Sequence, residues 1–283
     1  MKEESSGAIS PTAHYTGETW VRNGLSHPKL ATWQGRLFYD ALALPNALSK
    51  SLGGPSLGGL LLARHRIIDA LLEELIEGGA SQVIEAACGM SPRGWRFSER
   101  YGDELTYVEA DLPQMARRKR EALAQMGTLG ERHRVADLDI LRDGGPGSLE
   151  ALVAPMDPAK GLVIVTEGLL TYFDDETMEA LWARLARALR PFATGVYLAD
   201  FRLAHLGSGL AERGFELLLG AFVRGKVHPY RGDEAAAEAA LRAAGFAQVS
   251  LHRSEEHPAA AQAGRDMKAG MLTIIEAGTF KPN

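Results

Sequence analysis

The sequence predicts an α/β fold, a doubly wound and mostly parallel seven-stranded sheet, preceded by an N-terminal helical lid. Three observations predict it. From about residue 80 onward, short apolar segments alternate with helical patterns, as in parallel strands joined by right-handed crossovers. The segment 83–92 runs from an apolar stretch through small residues into Ser-Pro, as the first strand–helix turn of such a sheet does. A second apolar stretch ends in a carboxylate, Asp111, about 20 residues beyond that turn.

The part of the chain before the sheet has a less regular pattern of apolar residues than the part that forms the sheet. From Thr12 to about Leu62, aromatic residues are scattered among glycine and proline, and we expect short helices that form a lid. An amphipathic helix is predicted over Leu60–Ile76 because its apolar residues recur at helical spacing. We therefore divide the chain into residues 1–62, a tail and helical lid, and residues 63–283, the domain built on the sheet.

Each strand of the sheet is predicted from a short apolar run. The last two runs are expected to pair antiparallel at one edge. Helices separate the others, most clearly at Asp174–Leu189, where acidic residues crowd the first turn and apolar residues follow at helical spacing. The predicted strands are Gln82–Ala86, Thr106–Ala110, His133–Ala136, Leu162–Thr166, Gly195–Asp200, Phe246–His252 and Met271–Ala277.

The first turn of the sheet indicates a ligand. Ser91 suits a helix N-cap and Pro92 the first helical position. The turn lacks the three glycines that surround a pyrophosphate, while Arg93 offers a cation and Asp111 a partner for a ribose diol. A ligand with an adenosine ribose and an amino-acid carboxylate fits this pattern better than one with two phosphates. S-adenosylmethionine is such a ligand.

Four segments in order resemble the motifs of a known family: EAACGMSPRGWR, YVEADLP followed by Lys119, VADLD, and TEGLLTYF. They resemble the leucine carboxyl methyltransferase family, which belongs to the class I S-adenosylmethionine-dependent methyltransferases and includes bacterial O-methyltransferases of polyketide pathways. The resemblance covers roughly Arg64 to Arg190. It implies a Rossmann-like sheet, S-adenosylmethionine as the cofactor, and residues 63–283 as the methyltransferase domain.

The resemblance also implies residue roles. Arg93 would bind the methionine carboxylate, Asp111 the ribose hydroxyls, and Glu167 the methionine amino group, with Asp137 and Leu138 flanking the adenine. The family usually has glycine at position 87 and Asp-Thr at positions 91 and 92, where this chain has alanine and Ser-Pro. The full set of candidate cofactor-binding residues is Glu85, Ala87, Gly89, Arg93, Asp111, Leu112, Asp137, Leu138 and Glu167. We expect the first of these to shape the turn rather than to act as a base.

Composition excludes several classes of protein. The net charge of −5 argues against nucleic acid as the main partner, because binding phosphates needs a basic face. Cys88 is the single cysteine, so neither an intramolecular disulfide nor a cysteine-rich zinc site is possible, and no metal is expected. No apolar run is long enough to span a bilayer and the N-terminus lacks a signal-peptide core, so a cytoplasmic location is expected.

The acceptor of the methyl group would lie at the carboxyl ends of the strands, where open α/β sheets bind ligands. A carboxylate acceptor arrives ionised and needs no base, whereas a hydroxyl acceptor gains about 10²–10⁴-fold from one. His205 and His228 are the candidate bases, each with the alternative of a purely structural role. Tyr172 is the candidate residue for orienting the acceptor.

The sequence therefore predicts an S-adenosylmethionine-dependent O-methyltransferase that acts on a small-molecule hydroxyl or carboxylate, in secondary metabolism. Its partner is a small-molecule acceptor, with no nucleic acid and no membrane. Two alternatives stay open. One is a non-catalytic S-adenosylmethionine-binding protein with a regulatory or scaffold role. The other is a nicotinamide-dependent reductase, which would require the glycine-rich pyrophosphate-binding turn that this chain lacks.

Overall fold

The computed structural model describes residues 11–51, 57–204, 228–261 and 272–279. Its helices are α1 (Pro11–Arg22), α2 (Trp33–Ser51), α3 (Leu57–Glu77), α4 (Arg93–Tyr101), α5 (Pro113–Met126), α6 (Leu149–Val153), α7 (Asp175–Leu189), α8 (Glu234–Ala244) and α9 (Pro258–Ala261). Its strands are β1 (Ala80–Ala86), β2 (Thr106–Asp111), β3 (His133–Asp137), β4 (Gly161–Thr166), β5 (Gly195–Phe201), β6 (Gln248–Arg253) and β7 (Thr273–Gly278).

The strands form one seven-stranded sheet in the order β3-β2-β1-β4-β5-β7-β6. β7 runs antiparallel to both of its neighbours, and every other pair is parallel. The predicted fold class is therefore confirmed, including the antiparallel pair at one edge. The strand order reverses between β1 and β4, and at such a point a ligand-binding crevice is expected at the carboxyl ends of the two strands.

The central strands are buried on both faces, as parallel strands covered by helices must be. On one face, α7 packs its apolar side, including Trp182 and Leu185, against β4 and β5. On the other face, α3 packs Ile67 and Leu72 against β1. Side-chain caps fix where the helices start: Asp174 accepts a hydrogen bond from the Thr177 N–H at the first turn of α7 (2.9 Å).

The N-terminal region is more regular than expected. The sequence suggested short helices, but α2 has 19 residues and α1 has 12. The two helices pack side by side with Tyr15 stacked on Tyr39 (ring centroids 5.7 Å apart). Tertiary packing therefore stabilises two helices that the local sequence pattern predicts only weakly. The boundary drawn between residues 62 and 63 falls inside α3, and the division into lid and domain stays a proposal.

Among the described residues, no helix combines the length and the apolar character that crossing a membrane requires.

Candidate active site

The turn after β1 is joined directly to the end of β2. Gly89 has a positive φ of 51°, and its N–H donates a hydrogen bond to Oδ2 of Asp111 (2.7 Å). The other carboxylate oxygen of Asp111 accepts from the Leu112 N–H, also at 2.7 Å. Burial raises the pKa of Asp111, and the two backbone hydrogen bonds oppose that rise. The candidate residues Gly89, Asp111 and Leu112 thus meet at one point of the crevice.

Ala87 is the one residue other than glycine with a positive φ among those described, at 54°. A left-handed conformation strains a residue that carries a Cβ, which explains why a glycine suits this position. The chain therefore keeps the backbone path of the turn at a cost in conformational energy.

Helix α4 starts one residue later than predicted. Pro92, not Ser91, occupies the cap position, yet the Ser91 hydroxyl still accepts the Arg93 N–H at 3.2 Å. Gly94 brings α4 against the buried Glu109, because a Cβ at this position would overlap the Glu109 carboxylate. Glu109 itself is held by ion pairs with Lys119 and with His133.

The end of β3 lies beside the end of β2. Asp111 and Asp137 are register partners, and the Leu138 N–H donates to the Asp111 carbonyl at 2.8 Å. Asp137 is exposed and pairs with Arg120, whereas Leu138 is buried. The two candidate adenine contacts are therefore adjacent to the candidate ribose contact.

Four carboxylates lie on one face of the sheet, at the carboxyl ends of four adjacent strands. Glu85 on β1 and Glu109 on β2 are register partners. The register partner of Glu85 on β4 is a valine, and the partner of that valine on β5 is a leucine. Glu167 lies two residues after the valine and Asp200 two residues after the leucine, so both acids are on the same face as Glu85. All four side chains are buried, so this edge of the sheet needs cations to compensate them.

Arg93 provides much of that compensation and is itself fully buried. Its Nε donates to Asp69 (2.6 Å), its Nη1 to Glu85 (2.7 Å) and its Nη2 to Glu167 (2.6 Å). A ligand carboxylate would have to compete with these three protein carboxylates for the guanidinium. The structure thus brings Arg93, Glu85 and Glu167 together, with Arg93 holding the two glutamates in place.

Arg64, which the sequence reasoning missed, is the more accessible arginine of this cluster. Its side chain is 14% exposed, and it donates from Nε to Glu167 (3.0 Å) and from Nη1 to Asp200 (3.2 Å). Asp69 was missed as well. The available signal was that Arg64, His65 and Asp69 interrupt the apolar stripe of α3, which indicates polar contacts on its buried side.

Glu167 stays ionised because of its neighbours. Burial would raise its pKa, but His65, Arg93 and Arg64 outweigh burial and hold the pKa well below the usual range. Nδ1 of His65 lies 2.9 Å from Oε2 of Glu167. A buried, ionised carboxylate at the end of β4 is suited to bind a ligand ammonium group.

Helix α1 lies over the turn after β1. A Cβ built on Gly89 would lie 4.0 Å from the Cβ of Ala13, and Trp20 packs its ring on that of His65 (centroids 4.8 Å apart). Nε1 of Trp20 is buried with no hydrogen-bond partner in the structure, and Nε2 of His65 lies 3.6 Å from Oδ2 of Asp69. A buried donor without a partner is available to a polar group of a ligand.

Two of the three candidate acceptor residues lie beyond the end of β4. Tyr172 ends a 3-10 turn, Leu170–Tyr172, just beyond β4. The His228 N–H donates to the Thr171 carbonyl at 2.8 Å, so His228 and Tyr172 belong to neighbouring stretches of backbone. His205, the other candidate base, lies outside the described residues.

The comparisons with known proteins identify the family of the chain. Residues 28–186, more than half of the chain, match the family model for leucine carboxyl methyltransferase. A protein of Rhodococcus jostii described as an S-adenosyl-L-methionine-dependent methyltransferase is 32% identical over 140 residues, 50% of this chain and 46% of that protein. One of Frankia alni with the same description is 28% identical over 180 residues, 64% of this chain and 54% of its own. The chain thus spans about half the length of these relatives.

Solved structures support the fold. An O-methyltransferase family protein from Burkholderia thailandensis superposes with a TM-score of 0.52 at 19% identity, over 97% of this chain and 73% of that one. The S-adenosylmethionine-dependent methyltransferase SibL gives 0.51 at 18% identity, over 98% and 70%. At these identities the likeness establishes a Rossmann-like methyltransferase fold. With the sequence match, it leads to one assignment: the chain belongs to the leucine carboxyl methyltransferase family.

Proposed function

We propose that the protein is an S-adenosylmethionine-dependent O-methyltransferase that acts on a hydroxyl or carboxylate of a small molecule. The observation that carries the proposal is the juxtaposition, in one crevice, of the Gly89–Asp111 contact with the Arg64–Glu167 pair. The first suits a ribose and the second suits the zwitterionic end of an amino acid. S-adenosylmethionine has both groups.

The residues present fit this cofactor. Asp111 is the candidate partner of the ribose hydroxyls, and both of its oxygens are oriented by backbone N–H groups. Glu167 is ionised and can accept from the methionine ammonium, and Arg64 is accessible enough to donate to the methionine carboxylate. Arg93, fully engaged with its own carboxylates, would act by holding Glu167 rather than by direct contact.

When bound, S-adenosylmethionine supplies a methyl group on a sulfonium, which is open to in-line displacement. The protein's own contribution is to hold the acceptor oxygen and to exclude water. We assign the first task to Tyr172 and the second to helix α1, whose Trp20 packs over His65. His228 would take the proton of a hydroxyl acceptor, and a carboxylate acceptor would need no such step.

Two further parts of the proposal rest on the sequence alone. The resemblance to bacterial polyketide O-methyltransferases favours an acceptor from secondary metabolism. A cytoplasmic location, expected from the sequence, is the second part. Neither part is needed for the assignment of the cofactor.

The experiment that tests the proposal has two steps. The purified chain is first titrated with S-adenosylmethionine and S-adenosylhomocysteine by calorimetry, and we expect micromolar affinity, about −7 to −8 kcal/mol. It is then incubated with methyl-labelled S-adenosylmethionine and a panel of small hydroxy compounds and carboxylic acids. Transfer of label to oxygen supports the proposal. Binding without transfer to any acceptor would favour the scaffold alternative, and absence of binding would refute the cofactor assignment.

A further inference from the structure

Asp200, at the end of β5, joins two parts of the candidate site with a single carboxylate. Its side chain is 3% exposed. Oδ1 accepts a hydrogen bond from the Gly168 N–H at 2.6 Å, and Oδ2 accepts from Nη1 of Arg64 at 3.2 Å. One contact holds the turn that follows β4, and the other holds a side chain of α3. Asp200 therefore determines how these two elements face each other.

Gly168 makes the arrangement possible. It has a φ of 71°, and a Cβ built on it would lie 3.0 Å from Nη1 and 3.3 Å from Cζ of Arg64. The backbone of the turn thus approaches the guanidinium as closely as glycine allows. Because Glu167 next to it accepts from Nε of Arg64 at 3.0 Å, the guanidinium is held from three directions.

We propose that Asp200 is a positioning residue, which holds the Arg64 guanidinium and the Glu167–Gly168 turn in the geometry that binds the amino-acid end of the cofactor. This inference rests on the proposed function. The two oxygens of Asp200 are bonded to Gly168 and Arg64, so Asp200 acts on the ligand through these two residues. Its effect would therefore be confined to ligands that carry an amino and a carboxylate group.

Asp200→Asn isolates this effect. The amide oxygen can still accept from Gly168, but the charge that holds Arg64 is lost. Three probes are titrated against wild type and variant: S-adenosylmethionine, S-adenosylhomocysteine and 5′-methylthioadenosine, which has the adenosine end without the amino-acid end. We expect Kd for the first two to rise about tenfold, as for the loss of one hydrogen bond to a charged group, and Kd for 5′-methylthioadenosine to stay unchanged. In turnover, KM for S-adenosylmethionine should rise while kcat is kept.

Glu276→Gln is the matched control. It makes the corresponding change from carboxylate to amide on the neighbouring strand β7, where Glu276 pairs with His252 at 2.8 Å and not with Arg64. This variant should bind all three probes as wild type does. If Asp200→Asn does not fold, Gly168→Ala tests the same point, since its methyl group would push against Arg64.

The outcomes separate the inference from the proposed function. An equal loss for all three probes, or no loss for any, overturns the positioning role while leaving cofactor binding intact. If wild type binds none of the probes, the proposed function fails and the inference fails with it. Weakened binding restricted to the two ligands with an amino-acid end supports both.

Discussion

Nη2 of Arg93 and Oε2 of Glu167 lie 2.6 Å apart, with side chains that are 0% and 5% exposed. This pair connects helix α4 to the end of β4 through the interior of the protein. It is flanked by two more carboxylates, Asp69 and Glu85, on the remaining nitrogens of the same guanidinium. Three buried carboxylates of the candidate site therefore share one buried cation.

Arg93→Gln should lower the free energy of unfolding by about 3–5 kcal/mol, because it leaves buried carboxylates without their partner. Urea denaturation followed by circular dichroism measures the change. Arg117→Gln is the control, since its pair with Glu121 is exposed to solvent and should contribute little. Equal midpoints for the two variants would show that the buried cluster does not depend on Arg93.

The unfolding free energy should fall on acidification in a way that depends on Glu167. Its pKa in the folded protein is well below the usual value, so its ionisation stabilises the fold above about pH 4.5. This contribution is lost as the pH falls through the folded pKa. Urea titrations between pH 7 and 3 should show a shallower acid limb for Glu167→Gln than for wild type.

Asp200→Asn provides the opposite case in the same titration. Burial raises the pKa of Asp200, so the folded protein binds this proton more readily than the unfolded chain does. The variant should therefore lose stability more steeply than wild type as the pH falls. Parallel curves for wild type and both variants would contradict the assigned shifts.

Asp111→Ala should weaken S-adenosylmethionine binding by about 1.5–3 kcal/mol, through loss of charge-assisted hydrogen bonds to the ribose. Calorimetry measures the affinity, and circular dichroism checks that the fold is kept. Asp103 is an exposed acid just before β2, at the amino end of that strand, whereas Asp111 lies at the carboxyl end. Asp103→Ala should therefore leave the affinity for S-adenosylmethionine unchanged. Unchanged affinity in Asp111→Ala would remove this residue from the site.

Tyr172→Phe should lower turnover and leave cofactor affinity nearly unchanged, because a residue that positions the acceptor acts in the transition state. His228→Ala then distinguishes the acceptors. A carboxylate acceptor arrives ionised, so its methylation should be unchanged in this variant. A hydroxyl acceptor assisted by His228 should be methylated about 10²–10⁴-fold more slowly. If neither variant changes the rate, the acceptor binds elsewhere, under α1.

Ala87→Gly should raise the free energy of unfolding by about 0.5–1 kcal/mol. The gain comes from relief of a left-handed conformation that costs a residue with a Cβ about 1–2 kcal/mol, less the added entropy of glycine in the unfolded chain. Ala87→Val should destabilise the protein. Urea denaturation of the two variants measures both changes. A glycine variant that is less stable than wild type would mean that the turn is not strained.

The sheet could be predicted because each of its strands is a short apolar run with a turn at its end. The apolar runs locate all seven strands within two residues of their ends, the antiparallel strand β7 among them. The N-terminal helices were underestimated. Their stability comes from contacts such as Tyr15 on Tyr39, between residues whose local pattern predicts no long helix.

The candidate site, too, could be predicted from the sequence only in part. The contact of Gly89 with Asp111 could be expected, because both residues follow strands that are neighbours in any sheet of this order. The role of Arg64 could not, since its partners Glu167 and Asp200 are 103 and 136 residues away along the chain. Helical periodicity tells which residues share a face. It does not tell which charge on another element meets that face.

Gly94 restricts how this protein can vary over evolutionary time. The backbone of α4 rests on the Glu109 carboxylate at this position, and any side chain would displace the carboxylate from Lys119 and His133. Position 99 of the same helix is exposed to solvent and can change singly. Position 94 can change only together with Glu109, so a single-nucleotide path away from glycine is closed. In a saturation mutagenesis library of position 94, we expect only the variants that still encode glycine to remain folded.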